Sequence, residues 1–120
     1  DLDAARSALI NALCNYQGVK GCRLTLVFDA YQVKGNAGAE ERHGGIQVVY
    51  TKEGETADMY IERVSYELAR KYRVKVATSD GLEQIMILGH GAQRVSAGDL
   101  RWELDQVNAQ IQDFLREQQS

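Results

Sequence analysis

Val74-Lys75-Val76-Ala77-Thr78-Ser79-Asp80-Gly81-Leu82-Glu83-Gln84 is the stretch whose reading decides the fold of this chain. The β-branched Val74, Val76 and Thr78 favour a pleated strand. Asp80, with Glu83 three residues on, makes a capping-box-like pair that signals a helix start. A short helix is therefore expected over 81–88, with Leu82, Ile85, Met86 and Leu88 apolar and Gly89 and Gly91 stopping it. In an open α/β sheet, ligands bind beyond the carboxyl ends of the strands. Asp80 is thus either a helix cap or part of a site.

The same pattern recurs toward the N-terminus. Arg23-Leu24-Thr25-Leu26-Val27-Phe28-Asp29 is a nearly continuous apolar strand, as one covered on both faces should be, and it ends in Asp. Ile46-Gln47-Val48-Val49-Tyr50-Thr51 is a third strand, followed by Lys52-Glu53-Gly54-Glu55-Thr56-Ala57-Asp58. Thr56 is a suitable N-cap, and Ala57, Tyr60, Ile61, Val64 and Leu68 give a helical face through about Tyr72. Residues 2–17 form an amphipathic helix closed by Gly18 and Gly21. Residues 92–95 suit a brief edge strand, and Ser96 with Asp99 opens a last helix carrying Leu100, Leu104, Val107, Ile111 and Leu115. This alternation predicts an α/β fold with a mostly parallel central sheet flanked by helices. Residues 30–45 are polar, glycine-rich and aperiodic, and such a long loop is either mobile or functional.

Composition sets broad limits. A chain of 120 residues, 44% apolar and 26% charged, is sized for one domain with a real core. Its net charge of −3 gives no bulk attraction to nucleic acid or membrane, yet a local basic rim beside carboxylates remains compatible with a nucleic-acid enzyme. No apolar run reaches membrane-span length and no signal-peptide pattern is present. Cys14 and Cys22 lack metal-ligand spacing and read as free thiols of a reducing cytosol, which makes the expected location cytoplasmic. The opening at Asp1 without methionine suggests a fragment or a trimmed chain.

If the sheet is parallel, Asp29, Asp58 and Asp80 arrive at one edge. Mg²⁺ or Mn²⁺ wants hard oxygen ligands and keeps several waters, so a few carboxylates suffice to hold one against a phosphodiester. The competing reading makes Asp58 and Asp80 dipole-favoured residues of helix first turns. Glu55 is either a further ligand or, as the favoured reading, a solvated loop charge. Lys34, Lys52 and Arg94 sit where loops should gather and could neutralise RNA phosphates, or be ordinary surface cations. Ser79 could hydrogen-bond a metal ligand or a water. His43 and His90 have suitable acid–base chemistry but no partner in sequence; Tyr31 and Tyr50 could stack on a base, packing being the simpler role. Trp102 reads as packing. No phosphate-binding glycine loop, nucleophile elbow or Cys/His cluster occurs.

Val27-Phe28-Asp29-Ala30 with Val33-Lys34-Gly35, Tyr50 to Asp58, Ala77-Thr78-Ser79-Asp80 with Glu83-Gln84, and Gly91-Ala92 with Arg94 and Ser96 together resemble the YacP-like branch of the NYN domain family. The resemblance runs from about residue 5 to about residue 105. It implies a PIN-like three-layer α/β fold and a metal-dependent endoribonuclease acting in bacterial mRNA decay, in some members with the ribosome. By matched motif, Asp29, Asp58 and Asp80 would hold the metal and Lys34, Lys52 and Arg94 would contact RNA. One departure stands out: the family's first strand, which ends in an acidic motif, precedes the first helix and is absent here. A sheet without that central strand should leave an open apolar slot, lower stability and activity, and favour element exchange or a homo-oligomer. The alternative from another class is a non-catalytic RNA- or ribosome-binding module with an incomplete acidic pocket. A receiver-like domain phosphorylated on Asp29 is disfavoured, since its usual acidic pair and strand-terminal lysine are not evident.

Overall fold

A computed structural model of the chain describes residues 2–78, 83–88 and 93–119, with side chains described for 3–77 and 95–119. The described elements are α1 (Leu2–Lys20), β1 (Arg23–Phe28), β2 (Ala39–His43), β3 (Ile46–Tyr50), α2 (Ala57–Leu68), β4 (Val74–Thr78), β5 (Glu83–Leu88), β6 (Gln93–Ser96) and α3 (Ala97–Gln119). The strands form one sheet in the order β2-β3-β1-β5-β4-β6.

The α/β class stands, but the mostly parallel sheet does not. β1 pairs with β3 and β4 with β6 in parallel, whereas β2–β3, β1–β5 and β4–β5 are antiparallel. The cause is Glu83-Gln84-Ile85-Met86-Ile87-Leu88, expected as a helix and found as a strand. A short apolar run cannot be assigned to helix or strand by periodicity alone. Here β1 and β4 each present a row of backbone groups that must find partners, and β5 supplies them on both sides. Arg23 and Val74 both lie level with Leu88 in the register. β5 thus occupies the centre of the sheet, between β1 and β4.

Two more expectations change. Residues 39–43 leave the presumed loop and form β2, turning into β3 through Gly44-Gly45 with His43 level with Ile46. Gly44 takes φ 56°, as a tight two-residue hairpin demands. α1 also runs through Gly18 to Lys20, and Gly21, at φ 66°, closes it by donating its N–H to the Gln17 carbonyl at 2.8 Å.

Helices cover both faces. Leu24, Leu26 and Phe28 of β1, with Ile46 and Val48 of β3, pack beneath Leu13 and Tyr16 of α1 and Leu100 and Val107 of α3. The alternate residues Val27, Val49, Val74 and Val76 pack against Ala57 and Ile61 of α2. Lys75, buried on β4, is neutralised by both oxygens of Glu103 on α3 at 3.0 and 2.9 Å. The apolar stripe of α3 outlasts its partners: Phe114 and Leu115 are largely bare, and Trp102, expected to pack, is 64% exposed.

Tyr16 gives a pH signature. Burial first, then the Glu103 carboxylate and Cys22, push its phenol up to about 12. The unfolded chain releases that proton near pH 10. The stabilisation is therefore complete below pH 10 and is lost as pH rises toward about 12, by about 1.4 kcal/mol per pH unit. Urea unfolding at pH 9 and pH 11 should show the wild type losing about 1 kcal/mol more than Tyr16→Phe. Equal losses would place the phenol in water.

Candidate metal centre

Asp29 follows β1 directly, and Asp58 is the second residue of α2, the helix reached from the neighbouring parallel strand β3. Both carboxylates therefore belong to the carboxyl-terminal edge of the β1–β3 pair. Phe28 is level with Tyr50, and the pairing continues one step as the Thr51 N–H donates to the Phe28 carbonyl at 3.1 Å. Thr51 is 1% exposed, and its hydroxyl accepts the Ala30 N–H at 2.9 Å. The peptide groups on both sides of Asp29 are thus fastened to one buried threonine.

Asn36 completes the clamp. Its side-chain amide donates to the carbonyls of Thr51 at 2.8 Å and Ala30 at 3.3 Å, and its oxygen accepts the Gly38 N–H at 2.9 Å. Glu53 accepts the Gly35 N–H at 2.8 Å, while the N–H groups of Glu53 and Gly54 donate to the carbonyls of Asn36 and Tyr31. Residues 30–38 are stitched to 51–54 rather than loose. Gly38, at φ 84°, lies against the Tyr50 carbonyl, which a Cβ would approach to 3.2 Å. Only glycine takes that backbone without strain.

Inside this clamp, Asp29 is half-buried and its Oδ1 is buried with no hydrogen-bond partner. An orphaned carboxylate oxygen costs free energy unless a cation or donor reaches it. Asp58 is exposed in the first turn of α2, beyond the Thr56 N-cap, whose hydroxyl accepts the Met59 N–H at 3.1 Å. Glu55 departs from the solvated-charge reading, since its side chain is 14% exposed and accepts from Arg63 at 3.1 Å. It belongs to a cleft of about 340 Å³ shared with Lys52, Tyr60 and Arg63. There, burial first and then Glu40 and Glu55 push the Tyr60 phenol upward against the opposing charge of Arg63.

Lys34 and Lys52 are exposed on the turns beside Asp29. Arg94 lies within β6, level with Val76 in the middle of β4, rather than at a strand end. Asp80, Ser79 and His90 lie outside the described residues. Among the described residues no group of three metal-ligating side chains is gathered. Tyr50 stacks on Phe28 at 5.3 Å between ring centroids, so its ring is a packing partner. His43 faces Glu41 at 3.2 Å on exposed β2. Sequence reasoning passed over Thr51, Asn36 and Glu53.

The sequence model described as the YacP-like NYN domain matches residues 1–120. The chain belongs to the YacP-like NYN domain family. NYN domains are generally nuclease-like. The Bacillus subtilis (strain 168) protein described as "Uncharacterized protein YacP" is 39% identical over 115 residues, covering 95% of this chain and 67% of that relative. No solved structure matches the chain significantly. As in any NYN domain, function has to be argued from the site. No helix among the described residues is long and apolar enough to cross a membrane.

Proposed function

We propose that this YacP-like NYN domain is a metal-dependent endoribonuclease, cleaving RNA phosphodiester bonds in bacterial mRNA decay, in the cytoplasm and in association with the ribosome. The observation that carries the reading is the clamped Asp29, whose buried Oδ1 lacks a partner at the strand edge where α/β folds place ligands. Asp29 and Asp58 would hold Mg²⁺ or Mn²⁺, with Asp80 as third ligand and Ser79 beside it. Two protein carboxylates already suit an ion that keeps most of its waters. Bound there, the ion supplies Lewis-acid polarisation of the scissile phosphate and acidifies a water. The chain's own residues do the positioning. Thr51 and Asn36 fix the backbone on either side of Asp29, and the exposed Lys34 and Lys52 offer charge to flanking phosphates, with Arg94 a further RNA contact.

The alternative is a non-catalytic RNA- or ribosome-binding module with an incomplete acidic pocket. An end-labelled RNA incubated with Mn²⁺, Mg²⁺ or EDTA separates the two. Cleavage is expected with metal and none with EDTA. Asp58→Asn should lower the rate by at least about 10–100-fold while RNA binding survives. Binding without cleavage in either metal would hand the chain to the binding-module reading.

A further inference from the structure

β1, β3 and β4 start at one edge of the sheet, because β5 is antiparallel to both β1 and β4 while β3 is parallel to β1. That edge lies opposite Asp29, about 20 Å away by the length of a six-residue strand. It is rich in cations: Lys20 closes α1, Arg23 opens β1, Arg42 precedes the Gly44-Gly45 turn, and Arg70, Lys71 and Arg73 lead from α2 into β4. All six are exposed, and among the described residues none is in a salt bridge.

The register brings them together. Arg23 and Val74 are both level with Leu88, so Arg23 and Arg73 start strands about 10 Å apart. The Arg23 guanidinium donates to the Tyr72 hydroxyl at 2.8 Å and lies over its ring, tying the β1 start to the α2–β4 turn. Arg42 is level with Gln47, and Gln47 with Thr25, so Arg42 sits two strands over from β1. Between them lies a groove of about 330 Å³ lined by Arg23, Arg42, Gln17, Gln47 and Tyr60 among others. The carboxylates next to these cations in sequence are Glu67, Glu40 and Glu41, of which Glu40 accepts from Gln47 and Glu41 faces His43.

A helix C-terminus favours one or two cations. It does not require Arg23 and Arg42 on strands, nor their convergence on a groove. In a chain of net charge −3, this concentration creates a local positive field that the whole molecule lacks. We propose that this edge is a docking surface for the RNA phosphate backbone, anchoring substrate on the side of the sheet away from Asp29. The inference rests on the nuclease reading for its choice of RNA as the polyanion.

The test measures fluorescence anisotropy of labelled 4- and 20-nucleotide single-stranded RNAs in EDTA, where cleavage is off, over a range of salt. Each phosphate contact contributes about 0.7 to the slope of log affinity against log salt. Replacing Arg42, Arg70, Lys71 and Arg73 by Gln should reduce that slope by up to about 3 for the 20-mer and weaken its binding at least tenfold. The 4-mer should bind more weakly and respond less. The exposed pair Arg70→Gln/Lys71→Gln gives half the effect and serves if the quadruple variant fails to fold. An unchanged slope in either folded variant overturns the proposal, as does a wild type that binds no RNA. Edge-dependent binding to anionic lipid vesicles with none to RNA overturns it as well. Edge-dependent RNA binding without cleavage in any metal leaves the docking surface standing and removes the nuclease. Cleavage with an edge-independent slope does the reverse.

Discussion

Asp29→Asn should lose metal-dependent RNA cleavage by at least about 100-fold while its stability without metal stays level or rises. The two halves share one cause. The Oδ1 of Asp29 is buried without a partner, so in the absence of a cation its charge is held away from water at a cost. Asparagine keeps the shape and removes the charge. The backbone around position 29 is held by Thr51 through main-chain groups and its own hydroxyl, none of which the substitution alters. Melting curves supply a readout independent of catalysis. A metal that binds only the folded protein stabilises it by about 2.7 kcal/mol at one hundred times its dissociation constant. Mn²⁺ should therefore raise the melting temperature of the wild type but not of Asp29→Asn. Equal shifts in both proteins would remove Asp29 from the metal site, and undiminished cleavage would remove it from the mechanism.

Leu26→Ala should cost about 2–5 kcal/mol of folding stability. Leu26 is 0% exposed in β1, between Val48 of β3 on one side and the β5 backbone on the other. It packs beneath Leu13 and Tyr16 of α1 and the buried residues of α3. The surrounding strands are pinned by pairing on both edges, so the site cannot collapse to fill the cavity. Against a typical total of about 5–15 kcal/mol this is a severe loss. The melting temperature should fall by roughly 10 °C, and the urea midpoint should drop with little change in slope. Leu115→Ala, on the bare end of α3, is the matched control and should shift stability by less than about 0.5 kcal/mol. A cost below about 1 kcal/mol at Leu26 would contradict the packing described.

The parts of the fold legible in sequence are those whose own residues settle their state. β1, β3 and β4 are β-branched or continuously apolar, α2 carries Thr56 at its cap, and α3 keeps a helical stripe from Leu100 to Leu115. β5 was not legible because Asp80 and Glu83 suggest a cap while Ile85-Met86-Ile87 suits helix and strand alike. Only the unpaired edges of β1 and β4 decide it, and those are far away in sequence. β2 hides differently: Ala39-Glu40-Glu41-Arg42-His43 has no apolar alternation since both its faces meet solvent. The Gly44-Gly45 pair before Ile46 was the available signal for that hairpin. The positions of Asp29 and Asp58, after β1 and in the first turn of α2, were legible because strand ends and helix starts are local features. Thr51 and Asn36 were missed because their importance lies in hydrogen bonds to residues 6 to 21 positions away.

The place of β5 bears on how the chain is made. Its neighbours in the sheet are β1 and β4, so β5 cannot cover its side of β1 until residue 88 has been synthesised. About 55 residues separate the end of β1 from the start of β5. At about 5–20 residues per second that leaves several seconds in which an apolar strand edge waits on the ribosome. An exposed, unpaired edge of this kind is a template for pairing with other chains. Distant pairings also slow folding, because the loop must close before any contact rewards it. Yield on synthesis should therefore depend more on what shields β1 during those seconds than on the stability of the finished sheet.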